Sequence, residues 1–495
     1  MQLTFIGIAQ IVIGAALLAF GSIPGTLAFV ILSGVMGGSA ALVLPAIGGS
    51  SIPPINLALV FLVLRLLREA GAQRPLLFTA VRDLAPLAVF VGYGVLMATV
   101  GPRLFAGQID VTPMRGQVAS SYTNMMAYIY ATVPLRPTSQ NITTSIYLTG
   151  TLVLAIAAHV AISNPRGRDT LVRTAAIAGL LHAFIGVFAL MVKGTPADQV
   201  VQLFRNGSYA MLDHSYQGFV RVTGIFPEAS GYGTYGLTWM VFLAECALRG
   251  IRPRLTGAAA LSLFAVLVAS TSTTAYFGLG LYLLVLLLRM LLLPGSIRLG
   301  AVLILAAICV AGVILMLGVM VGNHKFAAEI GNLIRHFTVD KGDSLSGLQR
   351  SFWARQGLEA FVATFGLGIG PGSFRSSSIA TAILGSTGAI GTAAFLILLI
   401  RIWQPWRRTT FEADAPDPRA TGAAAAWACL ILFATQSISA ATPDPGADFA
   451  TLAGAALALR RMRLFWSQSS GAPLDQAPQL AADRRLPAET LHRPG

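Results

Sequence analysis

LVRTAAIAGLLHAFIGVFALMV (Leu171–Val192) carries one charged side chain, Arg173, near its start, and is otherwise apolar or small. A stretch of about 20 such residues is long enough to cross a bilayer as a helix, and too apolar for the surface of a soluble domain. Comparable runs recur along the chain: Phe5–Phe20, Leu27–Ile47, Ile55–Leu67, Leu84–Val100, Ile142–Ile162, Tyr232–Leu248, Leu255–Ser270, Phe277–Leu293, Leu299–Val321, Ile379–Ile402 and Ala423–Ala441. A weaker run, Phe449–Leu459, reads as a last short helix or a re-entrant piece. The sequence therefore predicts an all-α integral membrane protein of about 12–13 transmembrane helices.

Composition agrees. The 495 residues are 55% hydrophobic and 11% charged, with a mean hydropathy of +0.71. A soluble domain carries about twice that charge. Residues 1–463 form one polytopic unit, and 464–495, rich in Pro, Gln and Ala, read as a disordered cytoplasmic tail. The net charge of +14 comes from basic residues flanking apolar runs. No compact basic domain is present, so nucleic acid is not an expected partner. Cys246, Cys309 and Cys429 all fall in apolar runs and make no disulfide framework.

Arginines set the orientation, because cationic loops stay cytoplasmic. Arg65, Arg68, Arg74 and Arg82 form one cluster; Arg166, Arg168 and Arg173 a second; Arg249, Arg252 and Arg254 a third; Arg401, Arg407, Arg408 and Arg419 another. These alternate with three longer loops, 101–140, 193–223 and 322–378, which are expected outside. Ser346 and Gln349 fit a capping box. Behind it Leu348, Phe352, Phe361 and Phe365 fall near one face, predicting a helix lying along the membrane surface.

The outer loops retain Lys193, Arg205, Arg221, Lys325, Arg335, Lys341, Arg350, Arg355 and Arg375. Such loops are normally poor in cations, so an anionic partner is indicated, and a guanidinium fork suits phosphate oxygens. Carboxylates or anionic lipid could instead neutralise some of them. Glu228, at the entrance to the seventh span, either stabilises that helix N-terminus or orients Arg221. His324 and His336 are spaced wrongly for a helical metal pair, so neither metal nor other cofactor is expected. Gly366-Leu-Gly-Ile-Gly-Pro-Gly372 lacks the Gly-Lys-Ser/Thr of a phosphate loop and reads as a tight turn back toward the membrane, its amides available to a polar cavity.

Four motifs in order carry a family resemblance: Asn141-Ile-Thr-Thr-Ser-Ile-Tyr147; Arg221-x-x-Gly224-x-Phe226-x-Glu228; Gln349-Arg350-x-x-Trp353; and Gly366-x-Gly368-x-Gly370-Pro-Gly372-x-Phe374 followed by Thr387-Gly388-x-x-Gly391. The chain resembles the O-antigen polymerase and ligase superfamily of membrane glycosyltransferases over about its middle and C-terminal two-thirds. The resemblance implies a GT-C-like enzyme of the bacterial inner membrane, working at the periplasmic face without metal. Its substrates would be glycans on undecaprenyl diphosphate, as donor and as acceptor, with a chain-length regulator protein as a further partner. Arg221 and Arg350 would bind the donor pyrophosphate, with Arg355 and Arg375 as neighbours. Arg205, Asn141, Tyr147, Ser377 and Ser378 complete the expected substrate-binding set.

Ligases of that superfamily carry a His-Asn pair where this chain has Ser377 and Ser378. Serine is no base at neutral pH, so the expectation turns to a polymerase of exopolysaccharide, capsule or O-antigen units. The acceptor proton then has Glu228, His336 or Asp340 as candidate destinations. The rivals are a ligase or O-oligosaccharyltransferase, and a flippase or transporter of a lipid-linked glycan. A transporter predicts charges at mid-membrane depth and matching halves, and the sequence shows neither clearly.

Overall fold

The computed structural model describes residues 2–44, 50–114, 130–207, 215–216, 219–292, 300, 345–403 and 418–460. The expected span Leu299–Val321, His324, His336, Asp340 and the tail 464–495 lie outside these. The described chain is a mostly helical bundle with α1 (Phe5–Phe20), α2 (Ile23–Ser33), α3 (Pro54–Arg68), α4 (Ala70–Asp83), α5 (Ala85–Leu104), α6 (Ser139–Ile162) and α7 (Pro165–Val192). There follow α8 (Asp198–Leu203), α9 (Ala229–Leu248), α10 (Pro253–Ala269), α11 (Thr273–Leu292), α12 (Leu345–Ala363), α13 (Ile379–Trp403), α14 (Pro418–Gln436) and α15 (Gly446–Arg460). Five of them, α5, α6, α7, α11 and α13, are long and apolar enough to cross a membrane. Sheet is confined to short antiparallel ladders in the connections: β1 (Gln2–Leu3), β2 (Leu42–Leu44) and β3 (Ser50–Ile52) in one, with two further two-stranded ribbons.

Local chemistry sets the helix starts. Ser22 accepts the Gly25 amide and Asn164 accepts the Gly167 amide, each with proline in the first helical turn. Thr138 and Asn141 close a reciprocal capping box on α6. Packing then inverts the soluble-protein pattern. On α7, Ala175, Ala176, Ala178, Gly179, Ala183 and Gly186 are buried, whereas Ile177, Phe184, Val187 and Met191 face outward. Small residues inside let backbones approach, and large apolar ones outside suit lipid. The same logic seats α15 on α6, where a Cβ at Gly454 would lie 2.5 Å from the Ala155 carbonyl oxygen.

Three expectations change. The run Leu27–Ile47 is not one span. Its helix stops at Ser33, and the chain turns at Gly37 and Gly38 before pairing as β2. The Gly38 amide donates to Ile225 O at 2.8 Å, close enough that a Cβ there would collide with it. The Arg74–Arg82 loop is instead the helix α4, joined to α3 and α5 through Glu69 and Leu84 with scarcely a break. Ser346 is within the first turn of α12 rather than at its cap, and Phe365 lies beyond the helix at φ +53°. That helix docks on α13 at Gly357, where a Cβ would lie 2.2 Å from the Thr381 carbonyl oxygen, with Gln356 and Ala360 also buried.

The two ends of the bundle differ. One end joins the connections around residues 105–112, 205–207, 221–226, 365–378 and 441, and carries a small second core of Phe105, Val111, Leu135, Ala360, Ile369 and Phe374. The opposite end holds arginines on carbonyls and carboxylates: Arg68 on Leu18 O at 2.8 Å, Arg401 on Asp83 O at 3.1 Å and Arg252 with Asp169 at 2.6 Å. There Glu245, fully buried, takes Arg249 and Arg289 together with the Tyr282 hydroxyl, and Arg289 also lies 4.7 Å over the Trp427 ring.

Glu245→Gln leaves two buried guanidiniums without their carboxylate. It is expected to destabilise the purified protein by roughly 3–5 kcal/mol, read as a lowered melting temperature in detergent. Gly370, at φ +90°, has Met97 O 2.3 Å from where a Cβ would stand, whereas Gly107, at φ +69°, has open space. Gly370→Ala should therefore lose at least about 2 kcal/mol and Gly107→Ala only about 1 kcal/mol in the same measurement.

Candidate functional site

At the loop end, three cationic side chains from separate stretches of chain line one pocket. Lys193 follows the last residue of α7, Arg205 follows α8, and Arg221 precedes the bend that leads into α9. Ala189, Leu190, Val201 and Val222 supply apolar walls, and Thr223, Gln202 and Asp198 the remaining polar lining. The pocket is shallow and partly open to solvent. The Arg221 guanidinium donates to Thr271 O at 3.1 Å, which ties the pocket to the turn between α10 and α11. The Arg205 side chain is buried, so its charge acts at low dielectric, where it counts for more than it would in water.

The pocket is held by glycines. Gly207 donates to Gly38 O at 3.0 Å, and Gly38 in turn donates to Ile225 O. Gly37 lies so close to the Phe226 ring that a Cβ would sit 2.3 Å from it. The segments before and after the pocket are thus clamped to the α2–β2 turn.

A second cationic element stands at the same end of the bundle. Arg375 lies 4.6 Å over the Trp353 ring, and its backbone amide donates to Thr112 O. The Thr112 amide donates to Gln356 Oε1 at 2.6 Å. Ser377 Oγ donates to the Arg350 carbonyl at 2.6 Å, which fixes the start of α12 against the start of α13. Arg350 is therefore placed through its backbone at this junction, with its side chain half-buried.

The remaining sequence candidates divide. Asn141 is a structural clamp: its amide nitrogen donates to Pro371 O and to Ser373 Oγ, both at 2.9 Å, while its oxygen completes the α6 cap. Ser378 O accepts the Ser376 and Thr381 hydroxyls in the first turn of α13. Glu228 sits at the N-cap of α9, where its carboxylate accepts the Ser230 hydroxyl. Arg355 is exposed and paired with Glu359 at 2.9 Å one turn along, so its charge is already answered away from the pocket. Tyr147, on α6, donates to Ser51 O at 2.8 Å. The amides of the Gly-rich segment do not line a cavity as expected. Those of Ile369 and Gly370 donate to Gly385 O and Ser386 O, and that of Gly368 to Thr364 Oγ1.

Sequence reasoning passed over two acids in Thr442-Pro-Asp-Pro-Gly-Ala-Asp448, the turn that leads from α14 into α15. Asp444 Oδ1 accepts the Thr151 hydroxyl at 2.7 Å and the Gly446 amide at 3.1 Å. Burial raises its carboxyl above the ordinary range, partly offset by those two hydrogen bonds. The signal lay in the sequence as two aspartates set between apolar runs, but a proline- and glycine-rich turn reads as surface.

Neither a protein-family model, nor a curated protein, nor a solved structure matches the chain.

Inorganic pyrophosphate is expected to raise the melting temperature of the purified protein, and the effect should weaken as salt is added. Arg205→Ala and Arg221→Ala should each weaken its binding by about tenfold or more, as losing one charge-assisted hydrogen bond does. Isothermal titration with pyrophosphate checks both.

Proposed function

We propose that the chain is a polysaccharide polymerase, joining oligosaccharide repeat units carried on undecaprenyl diphosphate. The observation that carries this reading is the convergence of Lys193, Arg205 and Arg221 on one open pocket. Cations gathered there would hold a diphosphate and stabilise the negative charge that grows on it as the glycosidic bond forms. The resemblance in motif order supplies the reaction class. Apolar helix faces beside the pocket, such as Phe184 and Met191 on α7, give the lipid tail a path into the bilayer. On this reading the bundle is GT-C-like, sits in the bacterial inner membrane and turns its pocket to the periplasm.

The donor set differs from the one the motifs imply. Arg205 and Lys193 join Arg221 at the headgroup, while Arg375 and Arg350 border the neighbouring α12–α13 junction. Arg355, answered by Glu359, leaves the set. Ser377, its hydroxyl spent on Arg350 O, has no role as a base. That favours the polymerase over a ligase with a His-Asn pair.

Transport is a second reading because acids lie within the bundle. Glu245 is buried between two arginines, and Asp83 lies 3.3 Å from His159. Both acids have basic residues beside them, which suits a structural role rather than a carrier pathway. Flux of a labelled lipid-linked glycan into proteoliposomes, without chain growth, would favour transport.

In membranes supplied with lipid-linked repeat units, Arg221→Ala and Arg205→Ala are expected to lower chain extension by roughly 10²–10³-fold. Arg355→Ala should stay within about twofold of the parent, given the small worth of an exposed pair. Polymer length on gels is the readout. Full activity in both pocket variants would remove the diphosphate assignment, and glycan appearing on lipid A-core or protein would identify a ligase.

A further inference from the structure

Two buried hydrogen-bonding groups of α9 lack a partner. Tyr235 is 4% exposed and Trp239 is 1% exposed, yet the Tyr235 hydroxyl and Trp239 Nε1 make no hydrogen bond among the described residues. Such orphans are unfavourable in an apolar interior, so two side by side call for a polar occupant. Both face Asp448 in the first turn of α15. The tyrosine hydroxyl lies within electrostatic reach of its carboxylate, and the indole N–H is directed at that carboxylate and at the tyrosine hydroxyl without closing a well-formed hydrogen bond to either.

The surrounding walls are polar as well. Asp444 directs Oδ1 to Thr151 and Gly446, leaving Oδ2 without a hydrogen bond among the described residues. Tyr147 faces Asp444 from α6. Gln436 to Thr442 are half-buried, and at the loop end Ala441 O accepts the Ser376 amide. Carboxylates beside aromatic rings with free donors form a surface suited to a neutral, hydroxyl-rich ring.

We propose that this polar cluster is the acceptor subsite, in which a sugar hydroxyl sits among Asp448, the Tyr235 hydroxyl and the Trp239 indole N–H, and Asp448 takes its proton. The proposal rests on the glycosyl-transfer reading. In that step an electron pair of the acceptor oxygen forms the bond to the donor's anomeric carbon. The anomeric carbon–oxygen bond to the diphosphate breaks, and the diphosphate leaves with that electron pair. The acceptor proton passes to an Asp448 carboxylate oxygen and from there to water. Tyr235 and Trp239 position the hydroxyl by donating to it or to its neighbours on the ring.

The test uses full-length protein in membranes with lipid-linked repeat units. Asp448→Asn should lower kcat by about a hundredfold or more while binding inorganic pyrophosphate as the parent does. The parent rate should climb with pH as Asp448 ionises, and the asparagine variant should lose that limb. Tyr235, Asp444, Tyr147 and His182, whose ring lies tilted 4.9 Å from that of Tyr235, are the other titratable groups around the cluster. They remain in the variant, so a limb that persists belongs to one of them and overturns the proposal. Tyr235→Phe and Trp239→Phe should raise the acceptor KM several-fold with little change in kcat. Should Asp448→Asn fail to insert, those two variants decide, and an unchanged KM in both overturns the proposal. Chain growth within threefold of the parent in Asp448→Asn removes the subsite and leaves the polymerase standing. A parent protein that extends no chains removes both.

Discussion

The loop end depends on a break in α13. Gly388, at φ +57° and ψ −156°, interrupts the helix and frees carbonyls that must find donors, because an apolar bundle offers no water to satisfy them. The glycine-rich segment supplies those donors. Ile369 and Gly370 take Gly385 O and Ser386 O, and the Ala389 amide reaches back to Gly366 O. Gly366, Gly368, Gly370 and Gly372 all hold positive φ, which lets an extended segment press against α5, α6 and α13 at distances no side chain would allow. What resembles a phosphate loop in one dimension is a backbone staple in three.

From that staple the neighbouring elements take their positions. Asn141 grips Pro371 and Ser373, so the start of α6 is set by the same segment. Phe374 and Ile369 complete the small core with Phe105, Val111, Leu135 and Ala360. Arg375 emerges onto Trp353, and Ser376 reaches Ala441, which links the staple to the turn carrying Asp444 and Asp448. The cation pocket is built differently, on the α2–β2 turn, where Gly37 and Gly38 let residues 204–207 and 225–226 close in.

Charge in this fold is sorted by purpose. At one end arginines are bound to carbonyls and to buried Glu245, an arrangement that consumes their charge. In the pocket, Lys193, Arg205 and Arg221 share a lining with Asp198. The proposed reaction needs cations for its leaving group, and it needs a carboxylate elsewhere for the proton. The acids of the α14–α15 turn meet the second need better than the cap-region Glu228, whose carboxylate already accepts Ser230.

By itself the sequence determined the helical, membrane-crossing character and most helix positions, since a 20-residue apolar run has few other ways to satisfy its backbone. Phe5–Phe20 matches its helix at both ends, and Ile379–Ile402 is off by a single residue. It also marked the cations of the connecting loops as a group. Which of them meet was decided by tertiary structure alone. Arg205 and Arg221 are brought together by glycine contacts between segments more than 150 residues apart, whereas Arg355 is drawn off by a neighbour on its own helix. Asp448 escaped a linear reading for the same reason: its partners, Tyr235 and Trp239, belong to a helix some 200 residues earlier, and only packing places their unsatisfied donors opposite its carboxylate.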